Sequence, residues 1–214
     1  MYLILLEIMA FIVSLISLRM NYPLFRWICG ILLLTVINEG ILVPYFKGEG
    51  MVNNVIFYNV FSLADMTVWS IIFYKIHEKR SYKIFTAAAY ALFMLYSLIE
   101  LVFINGWHQF HTDSFRVYNI CIIISAIFYF YEKLREVYHN LLTDPLFWVA
   151  AACFLYHSLL FVNFTTLSQT EYWKTPNAAR FYFILQDTAS TFYYFLLSCS
   201  FLVCYFSYYR RAQT

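Results

Sequence analysis

Eleven acidic or amide residues interrupt the apolar stretches of this chain: Glu7, Asn38, Glu39, Asn59, Asp65, Glu100, Asn105, Asn119, Asn163, Gln186 and Asp187. A carboxylate or amide in hydrocarbon is expensive and rarely faces lipid. Amides can be explained as glue, because interhelical hydrogen bonds in membranes are worth about 1 kcal/mol each. Carboxylates ask for more. Glu7, Glu39, Asp65, Glu100 and Asp187 fall on five different apolar segments and meet no Lys or Arg at the same depth. Each has to be protonated, paired or hydrated. Such a layer can bind a polar ligand in a cavity, or pass protons.

Asp65, His157 and Asp187 lie deepest and are the expected cavity floor. Glu39, Asn59 and Asn163 are the expected walls, with Gln186 beside Asp187. Glu7 and Glu100 are nearest the interface and are explained most simply as interfacial residues. Near the C-terminus, Asp187, Ser190, Thr191, Tyr194 and Ser198 are three or four apart, which predicts one stripe facing a bundle. His157 is the only histidine inside an apolar segment. It suits a proton relay, a metal ligand or a satisfied core residue, with Asp65 or Asp187 as a partner at that depth. His108, His111 and Asp113 form a loose H-x-x-H-x-D pattern, the weak metal candidate; a wet interfacial loop explains it as well.

No catalytic machinery is legible. G-x-S-x-G and H-E-x-x-H are missing, and five glycines leave little for a phosphate cradle. No cofactor is expected. Asn163-Phe164-Thr165 fits a glycosylation acceptor but sits at membrane depth.

The elements that hold these residues follow from composition. The chain is 63% hydrophobic and 12% charged, about half the charge of a soluble domain. It cannot cover a water-facing surface, and a single all-α transmembrane domain over 1–214 is expected. A span takes about 20 mostly apolar residues. Seven are read: 1–19, 24–46, 52–75, 83–105, 114–134, 145–167 and 178–209. Asn21-Tyr22-Pro23, Lys47-Gly48-Glu49-Gly50, His77-Glu78-Lys79-Arg80 and Asn105-Gly106-Trp107-His108 break them, and Asp144-Pro145 caps and opens the sixth. The first stretch lacks a basic n-region and carries Glu7, so it is read as a retained helix. If it lay on the surface, six spans would remain and the N-terminus would change sides. The five cysteines all fall inside spans, which argues against a disulfide framework.

Ten basic residues fall on one side, from Arg19 and Arg26 to Arg210 and Arg211; Lys47, Arg116, Lys174 and Arg180 fall on the other. The positive-inside rule predicts an outer N-terminus and a cytoplasmic C-terminus. The same basic residues read as topology, and no nucleic-acid partner is expected. With that orientation the polar layer lies in the outer half.

Retinal proteins need a Schiff-base lysine in the last helix, and Phe181 to Tyr209 contains none. The D-R-Y and N-P-x-x-Y signatures of G-protein-coupled receptors are missing too. Asp144-Pro145-Leu146-Phe147-Trp148 followed by Tyr156, with Asn53-Asn54 and Tyr58-Asn59 opening the third helix, resembles small seven-helix bacterial membrane proteins. Members of that group are largely uncharacterised, and some occur beside sensor histidine kinases. The resemblance implies a bacterial inner-membrane location and a sensory role, with a histidine kinase as a cytoplasmic partner. The leading expectation is a membrane sensor or accessory signalling protein whose outward acidic pocket takes a small or amphiphilic ligand. A proton- or cation-coupled transporter or channel is the alternative, and an intramembrane lipid-modifying enzyme the third. Membrane lipids are expected partners, and a homo-oligomer is open.

Overall fold

The apolar stretches fold into helices, and no strand occurs among the described residues. The computed structural model describes residues 2–20, 22–48, 55–106, 109, 111–135, 140–167 and 176–213. Helix α1 (Tyr2–Ser14) continues as a 3-10 segment (Leu15–Arg19). Helix α2 (Pro23–Ile37) passes through a π-helical turn (Asn38–Leu42) into a last stretch (Val43–Gly48). Then come α3 (Val55–Ile76), α4 (Arg80–Ile99) with a terminal π turn (Glu100–Ile104), and α5 (Thr112–Lys133). A short 3-10 turn (Leu141–Thr143) leads into α6 (Pro145–Leu167), and α7 (Pro176–Gln213) ends the chain.

Among the described residues six helical segments are long and apolar enough to cross a membrane. They are Pro23–Tyr45, Val55–Ile76, Arg80–Ile104, Thr112–Lys133, Pro145–Thr166 and Arg180–Tyr208. That is the make-up of a multi-pass membrane protein. The predicted boundaries of these six were off by a few residues. The predicted first span is different: its α-helix stops after 13 residues and tightens into 3-10 geometry.

Local chemistry explains the breaks. Pro23 occupies the first turn of α2, where its missing N–H costs nothing. Pro44 has no N–H, and its ring would press on the Gly40 carbonyl of a regular helix. The wider π turn, with the Val43 N–H on the Asn38 carbonyl, accommodates it. Asp144 does cap α6: Oδ1 accepts from the Leu146 amide at 2.9 Å, while the Tyr129 hydroxyl holds Oδ2 at 2.7 Å.

The packing forms a closed circuit of α1, α2, α3, α5, α6 and α7, with α4 laid outside against α3 and α5. In α6, Val149, Ala150, Ala152 and Cys153 are fully buried, and such small side chains let neighbouring backbones approach. Large rings fill the end nearer the basic turns. Phe25 meets Phe201 edge-on at 5.2 Å between centroids, and Trp69 meets Tyr193 at 6.3 Å. The turn read only as charged is a polar knot. Buried Glu132 of α5 accepts from the Lys79 amide at 2.8 Å and the Glu78 amide at 3.2 Å, with His77 Nδ1 at 3.3 Å. Backbone N–H groups at the start of α4 are thereby satisfied by a carboxylate, as a helix N-terminus favours.

Candidate functional site

Six of the helices enclose a cavity of about 650 Å³, and α4 contributes nothing to it. Its lining comes from the starts of α1 (Leu3, Ile4, Glu7), α3 (Val55, Tyr58, Phe61, Ser62, Asp65), α5 (Phe115, Tyr118) and α7 (Tyr182, Phe183, Gln186, Ser190, Tyr194). The outgoing halves of α2 (Thr35, Glu39) and α6 (Tyr156, His157, Leu160, Phe164) complete it. Those are the ends of the bundle away from the Lys- and Arg-rich turns. Among the described residues three carboxylates line the cavity, Glu7, Glu39 and Asp65, and none of the lining residues is Lys or Arg.

Asp65 is placed as expected, at the foot of the space on α3. Its oxygens are both engaged: Tyr118 donates to Oδ2 at 2.5 Å, and Trp69, one turn along the same helix, donates to Oδ1 at 3.0 Å. Glu39 is also placed as expected, on the π turn of α2, where the Tyr58 hydroxyl donates to its Oε2 at 3.1 Å. Gln186 lines the cavity and accepts at 3.2 Å from Asn163, which stands behind it.

His157 lines the cavity from α6 and is 1% exposed. Neither Asp65 nor Asp187 is its partner. Its Nδ1 lies 2.7 Å from Oδ1 of Asn119, whose own amide group donates to the Phe115 carbonyl at 2.8 Å. The amide is thereby oriented, so Nδ1 carries the hydrogen and Nε2 keeps its lone pair. No hydrogen bond is made by Nε2.

Three expectations are corrected. Asp187 is exposed on the outside of α7 and is no part of the floor. Ser190 and Tyr194 of the predicted stripe do line the cavity, but there Gln186, about 100° or one residue of helix away, takes the place of Asp187. Thr191 and Ser198, also assigned to that stripe, donate to carbonyls of their own helix at 2.7 and 2.8 Å. Asn59 is no wall. Buried, it donates to the Gln109 carbonyl at 3.0 Å and accepts from the His111 amide, pinning the segment before α5. The metal candidate does not assemble either. His111 turns Nε2 to the carbonyl of Gly106, which takes a left-handed φ of 66°, and exposed Asp113 is held by Arg116 at 2.5 Å. His108 lies outside the described residues, as do Asn53 and Asn54. Among the described residues no three His, Cys, Asp or Glu side chains group to hold a metal ion.

Glu7 was undervalued. It is 7% exposed, accepts from Tyr194 at 3.3 Å through Oε1, and leaves buried Oε2 without a partner. Glu100 is not interfacial but structural. It accepts from Asn105 at 2.7 Å, from the Ser114 amide at 3.0 Å and from the Ser114 hydroxyl, and so caps α5. Tyr118, Tyr156 and Tyr182 were missed as site residues because aromatic residues at helical spacing read as packing. Arg116, two residues from the cap, forks onto the Phe164 carbonyl at 3.0 and 3.2 Å and ties α5 to the end of α6.

Chemically the cavity offers acceptors. Glu7 Oε2 and His157 Nε2 are buried and unmatched, and the hydroxyls of Tyr118, Tyr58 and Tyr194 are spent on Asp65, Glu39 and Glu7, while Tyr156, Tyr182 and Ser190 add further hydroxyl-bearing side chains to the wall. No acid–base pair bridges a nucleophile among the described residues. A scan against protein-family models, a search of curated proteins and a search of solved structures each found no match to this chain.

Proposed function

We propose that the chain is a seven-helix sensor or accessory signalling protein of a bacterial inner membrane, with the acidic cavity as its ligand pocket. The observation that carries the reading is a 650 Å³ acceptor-rich cavity at one end of the bundle, floored by packed aromatic rings. Pockets of about 300–1,000 Å³ suit small organic ligands.

Several points support the orientation. With 13 residues of α-helix and five of 3-10 helix, α1 and its extension reach roughly 30 Å, the thickness of a bilayer core. Counted as a seventh span, it puts the N-terminus outside and the cavity in the outer leaflet, given the basic turns opposite. Signalling requires that the ligand prefer one of two helix arrangements. Glu7, Glu39 and Asp65 sit on α1, α2 and α3, so one ligand can bias three helices at once. The Glu132 knot and the basic turns would present the change to a cytoplasmic partner such as a histidine kinase.

A proton- or cation-coupled transporter needs an onward polar route. Below Asp65 lie buried Trp69, Tyr193 and Leu197, which favours a pocket.

The test is a thermal-stability screen of the purified chain against small amphiphiles. Ligands should raise the melting temperature of the parent and of Asp187→Asn, whose carboxylate lies outside, but not of Ser190→Phe, which fills the cavity. Hits that stabilise Ser190→Phe equally would sink the proposal.

A further inference from the structure

We infer that the ligand of this cavity is an amphiphilic ammonium ion that carries at least one N–H and no phosphate. The inference rests on the pocket reading above and names the chemistry it selects.

Charge comes first. Glu7, Glu39 and Asp65 reach the cavity from three helices, and among the described residues no Lys or Arg side chain lines it. Glu7 and Glu39 also feel each other's charge. In a low-dielectric space like charges are relieved by protons or by a bound cation. The carboxylates are too dispersed to chelate one ion: among the described residues no three acidic, histidine or cysteine groups cluster for a metal. A single ammonium on an apolar body needs no such cluster, because its N–H groups can be held by one carboxylate while the rest of the ligand fills the space.

Hydrogen bonding narrows the class. Among the described residues two buried polar atoms on the lining have no partner, Glu7 Oε2 on α1, an acceptor when the carboxylate is ionised, and His157 Nε2 on α6, an acceptor in the neutral imidazole. Buried acceptors ask for donors. A protonated amine supplies N–H groups together with charge; a quaternary ammonium supplies charge alone. Beside Thr35, Ser62, Gln186 and Ser190, much of the wall is aromatic and aliphatic, with Tyr156 stacked on Tyr193 at 4.4 Å. Ring faces attract cations and accept an apolar body. An ethanolamine lipid headgroup shares the ammonium, but its phosphate would enter a space where the described lining holds three carboxylates and no cation to balance it. Free amphiphilic amines avoid that conflict.

The experiment uses the full chain in phosphatidylcholine nanodiscs with phenylbutylamine, its trimethylammonium analogue and the neutral phenylbutanol as probes. Melting temperature and tryptophan fluorescence report binding; Trp69 donates to Asp65 at the cavity floor. The amine should bind about tenfold or more tighter than the alcohol and tighter than the trimethylammonium form. Glu7→Gln should lose about tenfold for the amine while leaving the alcohol unchanged, which also shows that the variant is folded. Asp187→Asn should match the parent. If the alcohol binds as well as the amine and Ser190→Phe abolishes both, the pocket stands and the ammonium assignment falls. Equal stabilisation by sodium or magnesium ions alone would overturn it in favour of an inorganic cation. Stronger stabilisation by phosphatidylethanolamine nanodiscs than by the amine would assign the site to a lipid headgroup. If none of the three organic probes binds and Ser190→Phe is silent, the pocket reading falls with it.

Discussion

Removing the Tyr118 hydroxyl tests whether the cavity floor is held as described. Tyr118→Phe keeps a ring that packs 4.9 Å from His157 but deletes the donor 2.5 Å from Asp65 Oδ2. Interhelical hydrogen bonds in membranes average about 0.6 kcal/mol by double-mutant cycle. A bond to a carboxylate is worth about 1.5–3 kcal/mol. Trp69 still donates to Oδ1, so Asp65 is not orphaned and the lower part of that range applies. We expect a destabilisation of about 1.5 kcal/mol, or roughly 3–6 °C in Tm for a chain of this size. Because Trp69 and Asp65 share α3, the lost bond is the link that ties α3 to α5 at this depth. The cycle Tyr118→Phe with Asp65→Asn, measured by reversible unfolding in mixed micelles, isolates it. The coupling should exceed 1 kcal/mol on the order-of-magnitude scale of charged hydrogen bonds. Additivity within about 0.5 kcal/mol would mean that the two groups do not interact and would refute the floor as drawn.

Three further outcomes are expected. Glu100→Ala leaves the Ser114 amide, the Ser114 hydroxyl and the Asn105 amide unmatched, and should cost about 2–4 kcal/mol, read as a lower Tm; an unchanged Tm would discount the cap. Arg116→Lys replaces a fork on the Phe164 carbonyl by a single donor and should speed amide exchange at the end of α6, with exchange elsewhere unchanged; equal protection there would show the fork to be idle. Burial pushes the His77 imidazole down, opposed by the hydrogen bond and charge of Glu132 and assisted by Lys83. A histidine lowered in the folded state binds fewer protons there than in the unfolded chain, so stability is full above the unfolded value of about 6.5 and falls as pH drops below it. His77→Gln should flatten that acid-side slope, and an unaltered slope would assign it to other groups.

Much of the helical frame was legible because it rests on properties local in sequence. Apolar length set six spans, Pro23 and Asp144-Pro145 marked two helix starts, and the basic residues separated one end of the bundle from the other. The polar layer could be seen because a carboxylate in an apolar stretch is conspicuous wherever the helix turns. Tertiary structure decided which of those groups meet. Helical phase advances about 100° per residue, so of the two neighbours expected at the site Gln186 faces the cavity and Asp187 lies on the outer surface. Asn59 and Glu100 had the composition of site residues, yet folding spent their hydrogen bonds on chain segments 14 to 52 positions away. Glu7 and His157 kept unmatched atoms only because the partners that could have satisfied them lie elsewhere in the packed bundle. Sequence determined that polar groups would be buried in this protein; the contacts between helices determined which remained available to bind.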